Sequence, residues 1–176
     1  MGRSLGSVRG ARLRRTSVQG DPDVLALLNE QLTSELTAIN QYFLHSKMQD
    51  SWGFTELAAH TRAESLDEMR HAEKITDRIL LLDGLPNYQR LFSLRVGQTV
   101  REQFEADLAV EVEVIDRLRP GIVMCREKGD ATSANLFELI LADEELHVDY
   151  LQTQLELMGK LGEELYLAQC VARPPT

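Results

Sequence analysis

Residues 63–74 read Ala63-Glu64-Ser65-Leu66-Asp67-Glu68-Met69-Arg70-His71-Ala72-Glu73-Lys74. The run holds no Gly, no Pro and no cluster of β-branched residues, and most of its side chains favour a helix. Three residues apart, Glu68 and His71 fall on one face, one turn above the other. A carboxylate and an imidazole side by side can grip one transition-metal ion.

A lone Glu-x-x-His is common on solvated helices. Here Glu144-Glu145-Leu146-His147 repeats it, and a further glutamate stands 33 residues before each copy, Glu35 before Glu68 and Glu111 before Glu144. The trio Glu35, Glu68, His71 maps onto Glu111, Glu144, His147 by adding 76, an internal repeat that carries its own chemistry. Midway within each interval lies a turn signal, Asp50-Ser51-Trp52-Gly53 and Lys128-Gly129-Asp130. Ligands equidistant from a hairpin turn end at one height on antiparallel helices. Two packed hairpins then bring four glutamates and two histidines to one level of a bundle core.

Around this frame the chain predicts four long helices. The first opens with Asp21 as N-cap and Pro22 at the first helical position, and runs to about Asp50. Its apolar stripe is Leu25, Leu28, Leu32, Ile39 and Tyr42, with Glu35 inside it. The second runs from about Phe54 to Leu82, with Leu57, Thr61, Glu64, Glu68, His71, Ile75 and Ile79 on one face. Asp83-Gly84-Leu85-Pro86-Asn87 begins an irregular stretch to Gly97, too long for a hairpin and long enough to return along the bundle. The third helix therefore runs parallel to the second. It opens with a capping box, Thr99 and Glu102. Its stripe Phe104, Leu108, Glu111, Ile115, Leu118, Ile122 and Cys125 resumes in phase after Pro120-Gly121, which predicts a kink rather than an end. The fourth spans about Ala131 to Lys160 and carries Glu144 and His147 between Phe137, Ile140 and Leu151. Gly162 stops it, and Glu163 to about Val171 reads as a short fifth helix.

The expected fold is all-α, a ferritin-like four-helix bundle with one long crossover and a short C-terminal helix. Four buried carboxylates repel one another unless protonated or bound to cations. Two divalent ions neutralise them and the imidazoles complete the coordination. Oxygen and imidazole ligands suit iron or manganese better than structural zinc.

Composition bounds the rest. The 176 residues suit one domain, with 43% hydrophobic and 27% charged side chains. No apolar run approaches the roughly 18 residues of a membrane span. Cys125 and Cys170 lack metal-binding spacing and read as reduced, buried thiols. Residues 1–17 differ from the remainder. Arg3, Arg9, Arg12, Arg14 and Arg15 stand there without an acid, so residues 18–176 hold 14 basic against 28 acidic side chains. That acidic body repels nucleic acid and attracts metal cations. We divide the chain into a basic tail, 1–17, and a di-iron domain, 18–176.

From about Val18 to Ala172 the sequence closely resembles the bacterioferritins. The match is carried by Glu35-Leu36-Thr37-Ala38-Ile39-Asn40-Gln41-Tyr42-Phe43-Leu44-His45, Asp67-Glu68-Met69-Arg70-His71-Ala72, Asp83-Gly84-Leu85-Pro86-Asn87 and Ala142-Asp143-Glu144-Glu145-Leu146-His147. The resemblance implies a cytoplasmic ferroxidase that oxidises Fe(II) with dioxygen or peroxide and stores ferric mineral in a hollow homo-oligomeric shell of 24 subunits. One iron falls to Glu35 and His71, the other to Glu111 and His147, with Glu68 and Glu144 bridging. Tyr42 reads as a neighbour of the site. Met69 points about 100° away from Glu68 toward the bundle exterior, where Leu36 and Phe43 extend an apolar strip. Family likeness makes Met69 the ligand of a haem b shared by two subunits across a two-fold axis, with a ferredoxin-like reductant for iron release. Many relatives carry a histidine in place of Ala63, which with Asp67 forms an inner-wall iron site; Ala63 cannot ligate. Relatives also start near Val18, which suggests a misplaced start codon, and intact mass of the natively expressed protein tests it. The alternatives are a soluble di-iron oxygenase acting on a small organic substrate, or a helical interaction module whose ligand set is fortuitous.

Overall fold

The structure, a computed structural model, describes residues 18–171. The basic stretch 1–17 lies outside the described residues. Five helices follow one another: α1 (Pro22–Ser51), α2 (Thr55–Leu81), α3 (Val100–Glu127), α4 (Ala131–Leu161) and α5 (Glu163–Gln169). Among the described residues no helix is long and apolar enough to cross a membrane.

Three of the five helices start where a side chain satisfies free amides, and α2 and α5 start without a side-chain cap. Asp21 accepts the Asp23 N–H at α1, Thr99 the Glu102 N–H at α3, and Asp130 the Ser133 N–H at α4. The box at α3 closes one residue early, because the Glu102 carboxylate accepts from the Gln98 N–H at 2.7 Å. The two hairpin turns fall at the expected places, on Gly53 (φ 88°) and Gly129 (φ 78°), a left-handed conformation that favours glycine. α3 runs unbroken through Pro120. Beside it Gly121 lets α1 close in: a Cβ there would meet Leu27 Cδ2 at 2.8 Å.

The α1 stripe is wider than its pattern suggests. Leu25 and Ile39 are half-buried, while Val24 and Ala38 are buried. The reason is that α1 is covered on several sides, by α2, by α3 and by the crossover.

Residues 82–99 run back along α1, held by polar α1 side chains that take crossover amides in turn. Asn29 Oδ1 accepts from Asn87 N–H (2.8 Å), Thr37 Oγ1 from Phe92 (2.9 Å), Gln41 Oε1 from Arg95 (2.8 Å) and His45 Nε2 from Gly97 (3.2 Å). The other His45 nitrogen donates to Asp107 at 2.9 Å, and Gln41 donates to the same carboxylate at 2.7 Å. This ladder carries the chain from the foot of α1 to its head. There Gln103 at the start of α3 meets Gln49 (3.0 Å), while at the far end Lys128 meets Asp23 (2.6 Å). α3 is thus antiparallel to α1 and parallel to α2. Two apolar cores fill the bundle, one around Leu28, Ile75, Leu118 and Phe137 and one around Leu57, Phe104, Leu151 and Met158. On α2, α3 and α4 the predicted ligands sit between them.

Candidate metal centre

All four predicted glutamates are buried inside the bundle. Glu35, Glu68 and Glu111 are each 1% exposed and Glu144 is 0%. His71 is buried, and the His147 side chain keeps 14% exposure. The six groups form two overlapping quartets, Glu35-Glu68-His71-Glu144 and Glu68-Glu111-Glu144-His147, each with its ligand atoms within 4.8 Å of one another. Glu68 and Glu144 belong to both.

The shared pair splits its oxygens between the halves. Glu68 presents Oε2 to His71 Nδ1 at 3.4 Å and Oε1 to His147 Nδ1 at 3.3 Å. Glu144 presents Oε1 to His71 Nδ1 at 3.3 Å and Oε2 to His147 Nδ1 at 3.1 Å. Each outer glutamate stands near one imidazole only, Glu35 at 3.8 Å from His71 Nδ1 and Glu111 at 3.6 Å from His147 Nδ1. None of these approaches has hydrogen-bond geometry for the inner atoms. Glu68 Oε1, both Glu144 oxygens and both Nδ1 atoms are buried without a partner. Native interiors rarely leave such groups unpaired. Lone pairs that converge on two points without bonding each other are what a pair of cations requires.

Behind the imidazoles stand carboxylates that turn Nδ1 inward. His71 Nε2 donates to Asp143 Oδ2 at 3.1 Å and His147 Nε2 contacts Glu64 Oε2 at 2.5 Å. Behind the outer glutamates, Gln31 donates to Glu35 at 2.7 Å and Tyr42 donates its hydroxyl to Glu111. Tyr42 therefore stands where the sequence predicts. The sequence reads Glu64 as part of the α2 stripe but not as a site residue, and the pattern does not single out Gln31 or Asp143, whose spacing to the motifs is ordinary for a helix face.

The electrostatics agree with a site built for cations. Burial, reinforced by the neighbouring charge of Glu68, pushes the Glu35 carboxyl well above the usual range. Burial and the charges of Glu144 and Glu68 do the same to Glu111. Burial works against charge on His71, but the carboxylates of Glu144 and Glu68 outweigh it and lift the imidazole to about 10. Burial likewise opposes charge on His147, and Glu111, Glu144 and Glu64 overcome it, raising its pKa. Without metal the cluster balances its charge with protons, which binding cations displace.

A family model described as ferritin-like domain matches residues 25–161. A bacterioferritin of Mycobacterium bovis is 83% identical over 159 residues, covering 90% of this chain and all of the relative. This chain belongs to the bacterioferritin family. The Streptomyces coelicolor bacterioferritin is 70% identical over 154 residues, 88% of this chain and 92% of the relative. Among solved structures, Mycobacterium tuberculosis bacterioferritin BfrA superposes with a TM-score of 0.88 at 84% identity, covering 90% of this chain and 99% of that one. Membership places the chain among iron-storage proteins, and its buried cluster fits a di-iron ferroxidase centre.

On α2, Met69 is 50% exposed and Leu66, one turn before it, is exposed as well; Phe43 is exposed on α1, beside Arg62. Leu36, expected in the same strip, is half-buried and packs against the core instead. Cys125 and Cys170 are free and buried, as expected. Asp67, the remaining half of the inner-wall pair, is bound to Arg70.

Proposed function

We propose that this protein is an Fe(II):oxygen oxidoreductase whose substrate ions occupy the two quartets. Glu35 and His71 hold one iron, Glu111 and His147 the other, and Glu68 and Glu144 bridge. The observation that carries this reading is the split of Glu68 and Glu144, each sending one oxygen to each half of the cluster. Each ferrous ion gives up one electron, and dioxygen or peroxide accepts the pair. The carboxylates stabilise the higher charge of the ferric products. The protons released from the cluster as metal binds are available to the reduced oxidant.

Met69 fits a haem. Its thioether lies on the outer face, clear of the core and free to approach a second copy. One methionine from each of two subunits across a two-fold axis would hold haem b iron. Bound there, the haem carries electrons for iron release, supplied by a ferredoxin-like reductant. Closed symmetry suits an isologous pair of this kind, and we extend it to a cytoplasmic shell of 24 copies.

Anaerobic Fe(II) followed by oxidant tests the centre. Wild type is expected to oxidise two ferrous ions per subunit in its first phase. Glu111→Ala with His147→Ala should lose that phase while keeping the fold. Full activity in the double variant, or no ferrous oxidation by wild type, would refute the reading. A visible spectrum tests Met69 separately: Met69→Leu should lose the haem Soret band and keep ferrous oxidation.

A further inference from the structure

One turn before each outer glutamate stands a residue that meets the facing helix. Adding 76 carries Gln31 onto Asp107 and Gln41 onto Arg117. Both pairs bridge α1 and α3. Gln41 donates to Asp107 Oδ1 at 2.7 Å, and Arg117 directs Nη1 at Gln31 Oε1, 3.5 Å away. The internal repeat thus reaches beyond the ligands to one cross-helix contact in each half, with different chemistry. Asp107 is occupied by Gln41 and His45, and Tyr42 serves Glu111. Gln31 has a donor end and an acceptor end, and it serves Glu35 itself.

Gln31 is fully buried. Its NH2 group donates to Glu35 Oε1 at 2.7 Å, which leaves Oε2 on the side of His71 Nδ1, 3.8 Å away. The two ends of an amide have nearly the same shape, so it can turn end for end. Turned, Gln31 would set its oxygen against a carboxylate oxygen. Glu35 would lose the bond that decides which of its oxygens faces the cluster. Arg117 opposes that turn, because a guanidinium offers donors only and its amide neighbour must be the oxygen. At 3.5 Å the contact acts as a charge on a dipole, strengthened by the low dielectric around a buried amide. The guanidinium is itself seated. Nη1 also donates to the Ser34 hydroxyl, and the Phe92 ring of the crossover covers it at 5.4 Å from the centroid. Arg90, Arg95, Arg119 and Arg126 each pair with a glutamate. Arg117 forms no ion pair among the described residues, and its donors go to neutral oxygens.

We propose that Arg117 is a positioning residue for the Glu35 half of the centre, acting through Gln31. It fixes the amide with its NH2 group on Glu35 Oε1, so that Oε2 is presented to the metal before the metal arrives. The inference rests on the di-iron reading given above. The charge of Arg117 also repels an incoming cation. That repulsion acts over a longer path than the contact with Gln31, and the half-buried guanidinium keeps a side to solvent that screens it. Alignment of the amide therefore outweighs it.

Anaerobic Co(II) titration of the assembled protein, followed by visible absorption, tests this in wild type, Arg117→Met, Gln31→Met and the double variant. Methionine keeps a long unbranched stem at 117 and a similar volume at 31. Arg117→Leu replaces the first variant should it fail to assemble. Arg117→Met should weaken one of the two bound ions by about tenfold and leave the other unchanged. Gln31→Met should do the same, and the double variant should lose no more than either single one, because the two residues act in series. Unchanged or tighter binding in Arg117→Met, equal weakening of both ions, or losses that add in the double variant overturn the positioning role alone. Absence of a tight pair in wild type overturns the di-iron reading beneath it.

Discussion

A carboxylate behind each imidazole decides which nitrogen faces the cluster. Asp143 is half-exposed yet holds His71 by Nε2, so its loss should spare the fold and loosen the ligand. Asp143→Ala is expected to weaken metal binding at the centre by about 10- to 100-fold with unchanged thermal unfolding, measured by Co(II) titration and circular dichroism. Unchanged affinity would show that packing alone orients the ring. The six cluster residues were legible because they repeat at a fixed offset, and chance does not repeat a trio. Their supporting residues were not, because the repeat breaks there. The counterpart of Glu64 is Ile140, a core residue, and the counterpart of Asp143 is Asp67, which pairs with Arg70. Symmetry in the ligands thus coexists with unrelated support on the two sides, and only coordinates reveal the second kind.

At the scale of elements, the start of α4 and the end of the crossover are the places where single changes tell most. Asp130 accepts from the Ser133 amide (2.9 Å), the Ser133 hydroxyl (2.7 Å) and Arg78 (2.6 Å). Burial opposes its charge, but these donors outweigh it and lower its pKa. A carboxyl depressed in the folded state stabilises above its unfolded pKa, and that contribution fades as pH falls below about 4. Asp130→Ala should cost about 1 kcal/mol near neutrality, with a smaller difference from wild type at pH 3, read by denaturant unfolding. A pH-independent difference would mean that the charge is irrelevant there. Gly97 is tighter still: a Cβ would come within 2.3 Å of the Gln103 backbone nitrogen. Gly97→Ala should destabilise by about 1–3 kcal/mol, because the obstacle is helix backbone and cannot rotate aside. Helix positions were readable from caps, turn glycines and periodicity. The crossover's course was readable only as a length, since Asn29, Thr37, Gln41 and His45 look like ordinary polar helix residues until their partners are known.

For the molecule as a whole, the exposed apolar side chains along the crossover and α5, among them Leu85, Tyr88, Leu91 and Leu165, leave surface that a lone subunit would show to water. Size-exclusion chromatography should give a particle near about 480 kDa, 24 copies of a 19.9 kDa chain. A 20 kDa monomer would defeat the storage shell. The excess of acidic side chains on residues 18–176 implies that ferrous loading slows as ionic strength rises.

The side-chain ladder on α1 leaves its own signature in solution. Amides that belong to no helix usually trade their protons with solvent quickly. In a deuterium-labelling experiment, Asn87, Phe92, Arg95 and Gly97 should instead appear as slow points spaced along an otherwise quick segment. The intervals would mark where each rung grips, and a uniformly quick segment would mean that the strap is tied only at its ends.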